Sequence, residues 1–149
     1  HYGITESHPW TKKQLQISGK DKVTKSAVNH LFIYGTLRNG EERSGILSEF
    51  SSKVYSDCKI RGKLINLQGG YPGLISGDGS VVGEIHHTPK IQNTLKELDR
   101  IEGFNGYVED GSLFHRVLTY CEGIPCWTYV YARSPDDGPV IESGDWSKR

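Results

Sequence analysis

The chain has 149 residues, of which 35% are hydrophobic and 24% are charged, a composition typical of one globular domain and unlike that of a disordered chain. Its 18 basic residues balance its 18 acidic residues, so no excess of positive charge indicates a nucleic-acid partner. No apolar run reaches the roughly 18 residues that cross a bilayer. We therefore expect neither nucleic acid nor a membrane as partner. We also expect a monomer, which is the default for a domain of this size.

The first part of the chain differs from the rest. Residues 1–28 are polar and show no periodicity, which predicts an N-terminal extension that is partly non-native or disordered. Residues 29–149 form the predicted folded domain. It begins with a short β-rich run, His30–Tyr34, which Gly35 interrupts.

A series of short elements follows in the middle of the chain. The loop after Gly35 extends to Gly40, and residues 43–50 are compatible with a short helix. Residues 58–67 and 81–87 are predicted as strands. Between them, the glycine-rich segments 69–73 and 77–79 predict two turns, with a short strand at 74–75.

One helix and two strands complete the pattern. Thr88 is a candidate N-cap, Pro89 suits the first helical position, and Gly103 stands where the helix should end. Strands are predicted at 113–120 and 126–133. Several antiparallel strands with one strong helix and no alternation of strands and helices indicate an α+β fold.

The three cysteines, Cys58, Cys121 and Cys126, are odd in number and include no C-x-x-C pair. This argues against a disulfide scaffold and against a zinc site, although a bridge between Cys121 and Cys126 across the turn is conceivable. Reduced thiols are the rule in the cytoplasm, which is the compartment we expect. We predict no metal or organic cofactor, and we expect the adjacent His86 and His87 to be one inward and one outward strand residue.

A helical wheel places an acidic residue on the apolar side of the predicted helix. Ile91, Leu95, Leu98 and Ile101 form an apolar stripe, and Glu102 falls in its middle. Burial and the negative end of the helix dipole both raise the pKa of a carboxyl group, and a raised pKa suits proton transfer near pH 7. Alternatively, the helix ends one or two residues earlier, and Glu102 is an ordinary surface residue.

Several segments, in order, carry a resemblance to a known family. The run Tyr34-Gly35-Thr36-Leu37-Arg38-Asn39-Gly40 after a strand resembles the entry motif of the γ-glutamylcyclotransferase-like family, in its avirulence-induced-gene-like branch. Further similar segments are Gly70–Leu74, Val82–Ile85, Leu98–Phe104, Ser112–Arg116, Ala132 and Gly144–Trp146. The resemblance spans about residues 30–146.

The resemblance implies a fold and a set of roles. The fold would be a small mixed β-barrel with one main helix packed on it. Glu102 would be the catalytic acid/base. Tyr34, Gly35, Thr36 and Leu37 would bind the substrate through backbone groups. The implied reaction cyclises a γ-glutamyl group to 5-oxoproline and releases an amine or an amino acid, an acyl transfer that needs no cofactor.

Some readings stay open at this point. Phe114 stands where the family usually has tyrosine, so one hydroxyl is missing from the pattern. The alternative function is a non-catalytic domain of the same fold that binds a small ligand or a protein. Tyr129 and Tyr131 either face a pocket or pack in the core, and Arg116 either meets a substrate carboxylate or forms a structural ion pair. Asp99 either orients Glu102 or caps the buried face.

Overall fold

A computed structural model describes residues 8–18, 28–38, 45–48, 50–105 and 111–149. The helices are α1 (Pro9–Ser18), α2 (Gly45–Ser48) and α3 (Ile91–Ile101), with a 3-10 turn at Trp146–Lys148. The strands are β1 (His30–Ile33), β2 (Lys53–Leu67), β3 (Tyr71–His87), β4 (Phe114–Cys121) and β5 (Ile124–Tyr131). None of the helices in these ranges has the length and hydrophobicity that a membrane span requires.

The strands of the described ranges form one mixed sheet in the order β2-β3-β1-β5-β4. Only the β1–β5 pair is parallel. The predicted α+β class is confirmed. The barrel expected from the resemblance applies only loosely, because strand pairing does not close the sheet within the described residues and leaves β2 and β4 as its edges.

Strand β1 lies in the middle of the sheet, and apolar layers cover both of its faces. Phe32 contributes to a cluster that includes Trp10 and Trp146, whereas Leu31 contributes to a cluster on the other face, where Leu95 of α3 packs. A strand that is buried on both faces needs a continuous apolar run rather than an alternating one. This requirement explains the sequence of β1.

The glycines at 77–79 mark a bulge, so the predicted turn there is wrong. Strand β3 continues through them, and its pairing with β2 shifts: Arg61 lies opposite Ser80, but Lys63 lies opposite Ile75. Residues 76–79 therefore face Gly62 alone. Turn-type residues also serve at bulges, where the chain must kink without ending its pairing. Strand β2 also begins earlier than predicted, at Lys53.

Helix α3 begins later than the capping pattern predicted. Its N-cap residue is Lys90, whose side chain makes no capping hydrogen bond. The Thr88 hydroxyl instead donates to the carbonyl of Asn29 at 3.3 Å, and the Thr88 amide donates to the same oxygen at 2.9 Å. Thr88 thus holds the chain before β1 and is not available as a helix cap.

Part of the N-terminal segment is a helix that packs on the domain. In α1, Trp10 is buried, and the Thr11 hydroxyl donates to the carbonyl of Leu118 on β4 at 2.9 Å. His8 lies 3.1 Å from His115, measured between Nε2 and Nδ1. The boundary at residue 28 stays a prediction, but the polar composition of residues 1–28 concealed a helix of 10 residues that packs on the fold.

We expect the attachment of α1 to weaken in acid. Burial, together with the nearby His115, lowers the pKa of His8 from 6.5 to about 4, and burial lowers the pKa of His115 as well. Between pH 6.5 and 4 the unfolded chain therefore binds more protons than the folded one, so the free energy of unfolding falls as the pH drops. Because His8 is only partly buried, solvent screening reduces the loss from this residue to about 1–2 kcal/mol.

Urea unfolding of wild type and His8→Gln at several pH values between 7 and 4 would measure this dependence. The variant should lose part of the acid sensitivity, since glutamine keeps a polar side chain but does not titrate. Parallel pH profiles for the two proteins would contradict the assignment of the acid sensitivity to His8.

Candidate active site

The chain leaves the centre of the sheet at the end of β1 and turns at once. The amide of Arg38 donates to the carbonyl of Gly35 at 3.0 Å, which closes a tight turn over residues 35–38. We call Tyr34, Gly35, Thr36 and Leu37 the entry loop. All of its residues are buried or nearly so, so the turn is part of the packed structure.

The glycine of the entry loop permits a close approach to the start of β3. A Cβ atom on Gly35 would lie 2.7 Å from Cγ and 3.0 Å from Cδ of Pro72. Real Cβ atoms do not come that close, so no larger residue fits there without movement of one of the two segments. The contact explains why glycine follows Tyr34, independently of any ligand.

A buried ion pair holds the far end of the entry loop. The Arg38 guanidinium donates from Nη1 to Oδ1 of Asp145 at 2.8 Å. The same carboxylate oxygen accepts from the amide and hydroxyl of Ser147 at 3.0 and 2.7 Å. Burial alone would raise the pKa of Asp145, but the hydrogen bonds from Ser147 and Arg38 outweigh it and lower that pKa. The C-terminal turn thus fixes the loop.

Glu102 stands at the end of α3, at the point where the helix stops. It is the C-cap residue, and Gly103 after it has a φ of 67°. The amide of Phe104 donates to the carbonyl of Asp99 at 2.9 Å, and the amide of Gly103 donates to that of Arg100 at 3.4 Å, which is the Schellman pattern. The predicted end of the helix at Gly103 is confirmed.

The position of Glu102 differs from both sequence-based alternatives. The residue is half-buried, neither enclosed in the apolar stripe nor fully exposed. Leu95 and Leu98 do form the buried stripe, and Glu102 is the C-cap residue at the end of the same helix. Its side chain instead forms part of the wall of a cavity.

That cavity brings together the residues to which the resemblance assigned catalysis and substrate binding. Glu102 and the entry loop line it together. The other walls come from Phe32, Ile33, Tyr71, Pro72 and Tyr129. The sequence pattern assigned no role to Tyr71 or Pro72, although both belong to the segment Gly70–Leu74 that carries part of the resemblance. It left Tyr129 open between the core and a pocket.

Two buried tyrosines lie near the carboxylate of Glu102. The Tyr34 hydroxyl donates to the carbonyl of Tyr129 at 2.7 Å, so it ties β1 to β5. Burial raises the pKa of both tyrosines. The charge of Glu102 raises the pKa of Tyr34 further, whereas for Tyr129 the larger further rise comes from Asp99 and a smaller one from Glu102. The hydroxyl of Tyr34 is therefore engaged in a structural hydrogen bond.

Asp99 anchors the last turn of α3, one turn before Glu102. Its Oδ1 accepts from the Tyr129 hydroxyl at 2.5 Å, and its Oδ2 accepts from Nη1 of Arg116 at 2.8 Å. The guanidinium also lies over the Trp127 ring, 4.8 Å from its centroid. Arg116 therefore forms a structural ion pair, and Asp99 fixes the position from which Glu102 projects.

A second, larger cavity adjoins the first and shares Thr36, Tyr71 and Glu102 with it. Its remaining walls are Gly69, Gly70, Ile101, Leu113 and Phe114. Phe114 is buried there between the rings of Tyr71 and Tyr131, at centroid distances of 6.3 and 5.6 Å. Glu102 thus stands between two spaces, one beside the entry loop and one beside Phe114.

The chain is similar to proteins of one known family. A family model described as "Gamma-glutamyl cyclotransferase, AIG2-like" matches residues 31–148. A gamma-L-glutamyl-butirosin B gamma-glutamyl cyclotransferase of Niallia circulans is 33% identical over 80% of this chain and 76% of its own. The gamma-glutamylcyclotransferase family protein YtfP of Escherichia coli K12 is 33% identical over 80% of this chain and 96% of its own.

Solved structures have the same fold. An uncharacterized Pyrococcus horikoshii protein, PH0828, superposes with a TM-score of 0.63 at 21% identity, over 82% of this chain and 92% of its own. The solution structure of ytfP from Escherichia coli superposes with a TM-score of 0.56 at 30% identity, over 78% of this chain and 95% of its own.

Proposed function

Because the chain belongs to the gamma-glutamyl cyclotransferase, AIG2-like family, we propose that it cyclises a γ-glutamyl group of a small-molecule substrate to 5-oxoproline. The observation that carries the proposal is the single cavity that Glu102 and the entry loop line together. A titratable carboxylate beside closely spaced backbone groups is the arrangement that this chemistry requires.

The reaction needs orientation and proton transfer but no protein nucleophile. The α-amine of the substrate attacks its own γ-carbonyl carbon, so a carbon–nitrogen bond forms within the substrate. The bond from that carbon to the leaving nitrogen then breaks. The attacking nitrogen gives up two protons in all, one before and one after it bonds to the carbon. Glu102 accepts each of them and passes it to the leaving nitrogen, which departs as an ammonium group, so the carboxylate ends as it began. The fold-back of the γ-glutamyl chain is an orientation effect, which accounts for a narrow binding space.

Each part of the site suits one of these tasks. We assign the backbone of the entry loop to the α-carboxylate and the γ-carbonyl oxygen, since successive backbone N–H groups can bind an anion. The buried bonds of Tyr34 and Arg38 support this assignment, because they hold the loop in place before a ligand arrives. We assign Glu102 to proton transfer. We assign the second cavity to the leaving group, because it lies on the other side of the same carboxylate.

The proposal is tested with a panel of γ-glutamyl compounds. Purified protein is incubated with γ-glutamyl amino acids, γ-glutamyl-lysine linked through the side chain, and γ-glutamyl amines, and 5-oxoproline is measured by mass spectrometry. We expect release from at least one class, and the best substrate identifies the leaving group. A folded protein that releases none, yet gains thermal stability from 5-oxoproline, would support the non-catalytic ligand-binding domain instead.

A further inference from the structure

The two edges of the sheet meet at a cluster of sulfur and oxygen atoms. The thiols of Cys58 on β2 and Cys121 on β4, and a carboxylate oxygen of Glu122, all lie within 4.8 Å of one another. Strands β2 and β4 are the two ends of the sheet order and make no strand pairing with each other in the described residues. The cluster therefore sits where a closed barrel would have its seam.

Other contacts show that this seam is a packed part of the structure. The Cys121 thiol donates to the carbonyl of Lys59 on β2 at 3.2 Å. Helix α1 spans the same gap, since Thr11 bonds Leu118 of β4 and the Gln14 amide donates to the carbonyl of Arg61 at 3.5 Å. The positions of the two thiols are thus set by the fold as a whole.

Unusual backbone conformations adjoin the cluster on both sides. Among the described residues, Asp57 and Glu122 are the two non-glycine residues with positive φ, at 60° and 52°. Asp57 lies in the irregular part of β2, where pairing shifts just before Cys58. Glu122 begins the two-residue turn between β4 and β5, a position that favours asparagine, aspartate or glycine. Glutamate there is conformationally unfavourable, but it places a longer carboxylate beside the thiols.

We propose that Cys58, Cys121 and Glu122 form a binding site for a thiophilic divalent cation, of which zinc is the best match. Two sulfur ligands and one carboxylate suit zinc, and a fourth tetrahedral position is left for water. Zinc bonds of about 2.3 Å to sulfur and about 2.0 Å to oxygen bring ligand atoms to roughly 3.5–3.8 Å from one another. The ligand atoms must therefore move about 1 Å closer together to bind zinc, and rotation of the side chains is enough for such a movement.

The residues around the cluster leave a path for a cation from solvent and provide a negative charge that attracts it. The two cysteines are buried, whereas Glu122 is exposed, so the carboxylate stands between solvent and sulfur. A bound cation would offset the negative charge of Glu122 and would join the two edges of the sheet.

The test uses the full chain, reduced and freed of metal with a chelator. Cobalt(II) is titrated first, because it takes the coordination of zinc and shows a thiolate charge-transfer band. Zinc is then titrated in competition with a chromogenic chelator. We expect the band to saturate at one equivalent, zinc to abolish it, and zinc to raise the thermal midpoint because it binds only the folded chain.

Variants assign the ligands. Cys58→Ser and Cys121→Ser should lose the charge-transfer band, and Glu122→Gln should weaken zinc binding at least about tenfold. Glu122 is exposed, so its variant folds regardless of packing. Cys126→Ser is the matched control: it removes a third buried thiol, which donates to the carbonyl of Ile124 at 3.3 Å, and should retain binding. No band in the wild type, or a band that survives in both Cys58→Ser and Cys121→Ser, would overturn the proposal.

Discussion

Replacement of Glu102 by glutamine should reduce the rate of 5-oxoproline formation by about 10²–10⁴-fold. The substitution keeps the size and the hydrogen-bonding capacity of the side chain but removes its ability to take up and return a proton. The walls of the cavity should stay in place, because Asp99, Tyr129 and Arg116 hold the end of α3 independently of this residue. Ligand binding should therefore persist while turnover fails.

The stability of this variant provides a second readout. A carboxylate at the C-terminus of a helix faces the negative end of the helix dipole, so its removal should stabilise the fold by about 0.3–1 kcal/mol. A loss of activity that accompanies an unchanged or raised thermal midpoint indicates a role in the reaction. Activity is measured with the best γ-glutamyl compound of the panel, and binding by the stabilisation that 5-oxoproline confers.

Glu97→Gln is the matched control, because it removes a carboxylate from the same helix. Glu97 pairs with the exposed Arg100 and lines neither cavity described above, so we expect full activity. If Glu102→Gln turns over substrate at the wild-type rate, Glu102 is not the acid/base, whichever γ-glutamyl compound proves to be the best substrate.

Replacement of Gly35 by alanine should lower kcat/KM by about 10²-fold, the cost of misplacing a substrate by about 1 Å. The new methyl group would lie 2.7 and 3.0 Å from two ring atoms of Pro72. Either the entry loop or the start of β3 must then move, and both line the cavity with Glu102. The effect arises from position alone, since no charge or hydrogen-bonding group changes.

Two further variants separate this cause from a general loss of stability. Gly45→Ala is the matched control, because a Cβ atom there meets nothing within 4 Å and the residue lies in α2. It should leave activity unchanged. Pro72→Ala removes the two atoms that would clash, so the double variant Gly35→Ala/Pro72→Ala should be more active than the two single effects predict. Purely additive losses would show that the contact with Pro72 is not the cause.

Much of the local structure follows from short-range patterns in the sequence. The apolar run of β1, the stripe of α3 and the glycine that ends α3 each predict an element that the structure contains. In β5, Trp127, Tyr129 and Tyr131 share one face and belong to one apolar cluster, as their alternation predicts. The buried His86 and the half-exposed His87 follow the same rule. Such patterns predict local structure correctly because each depends only on residues within one or two helical turns, or within a few residues along a strand.

Other features depended on partners that are distant in sequence. The glycines at 77–79 resemble a turn, and only the pairing of β3 with β2 shows that they form a bulge. Thr88 is a residue type that favours helix N-caps, but its hydroxyl donates to the carbonyl of Asn29, before β1. Trp10 lies in a polar segment, and its burial depends on the surface that β4 presents. In each case a local preference of about 1 kcal/mol yields to tertiary packing.

By itself the sequence determined the α+β class, the family resemblance and the residues worth attention, because these depend on local patterns and on motif order. Only the tertiary structure decided how those residues combine. It placed Glu102 at a helix end that opens on the entry loop, it engaged Asp99 with Arg116 and Tyr129, and it brought Cys58 to Cys121 across the seam of the sheet. Spacing along the chain does not predict these contacts, because the order and register of whole strands decide which side chains lie within a few ångströms of one another.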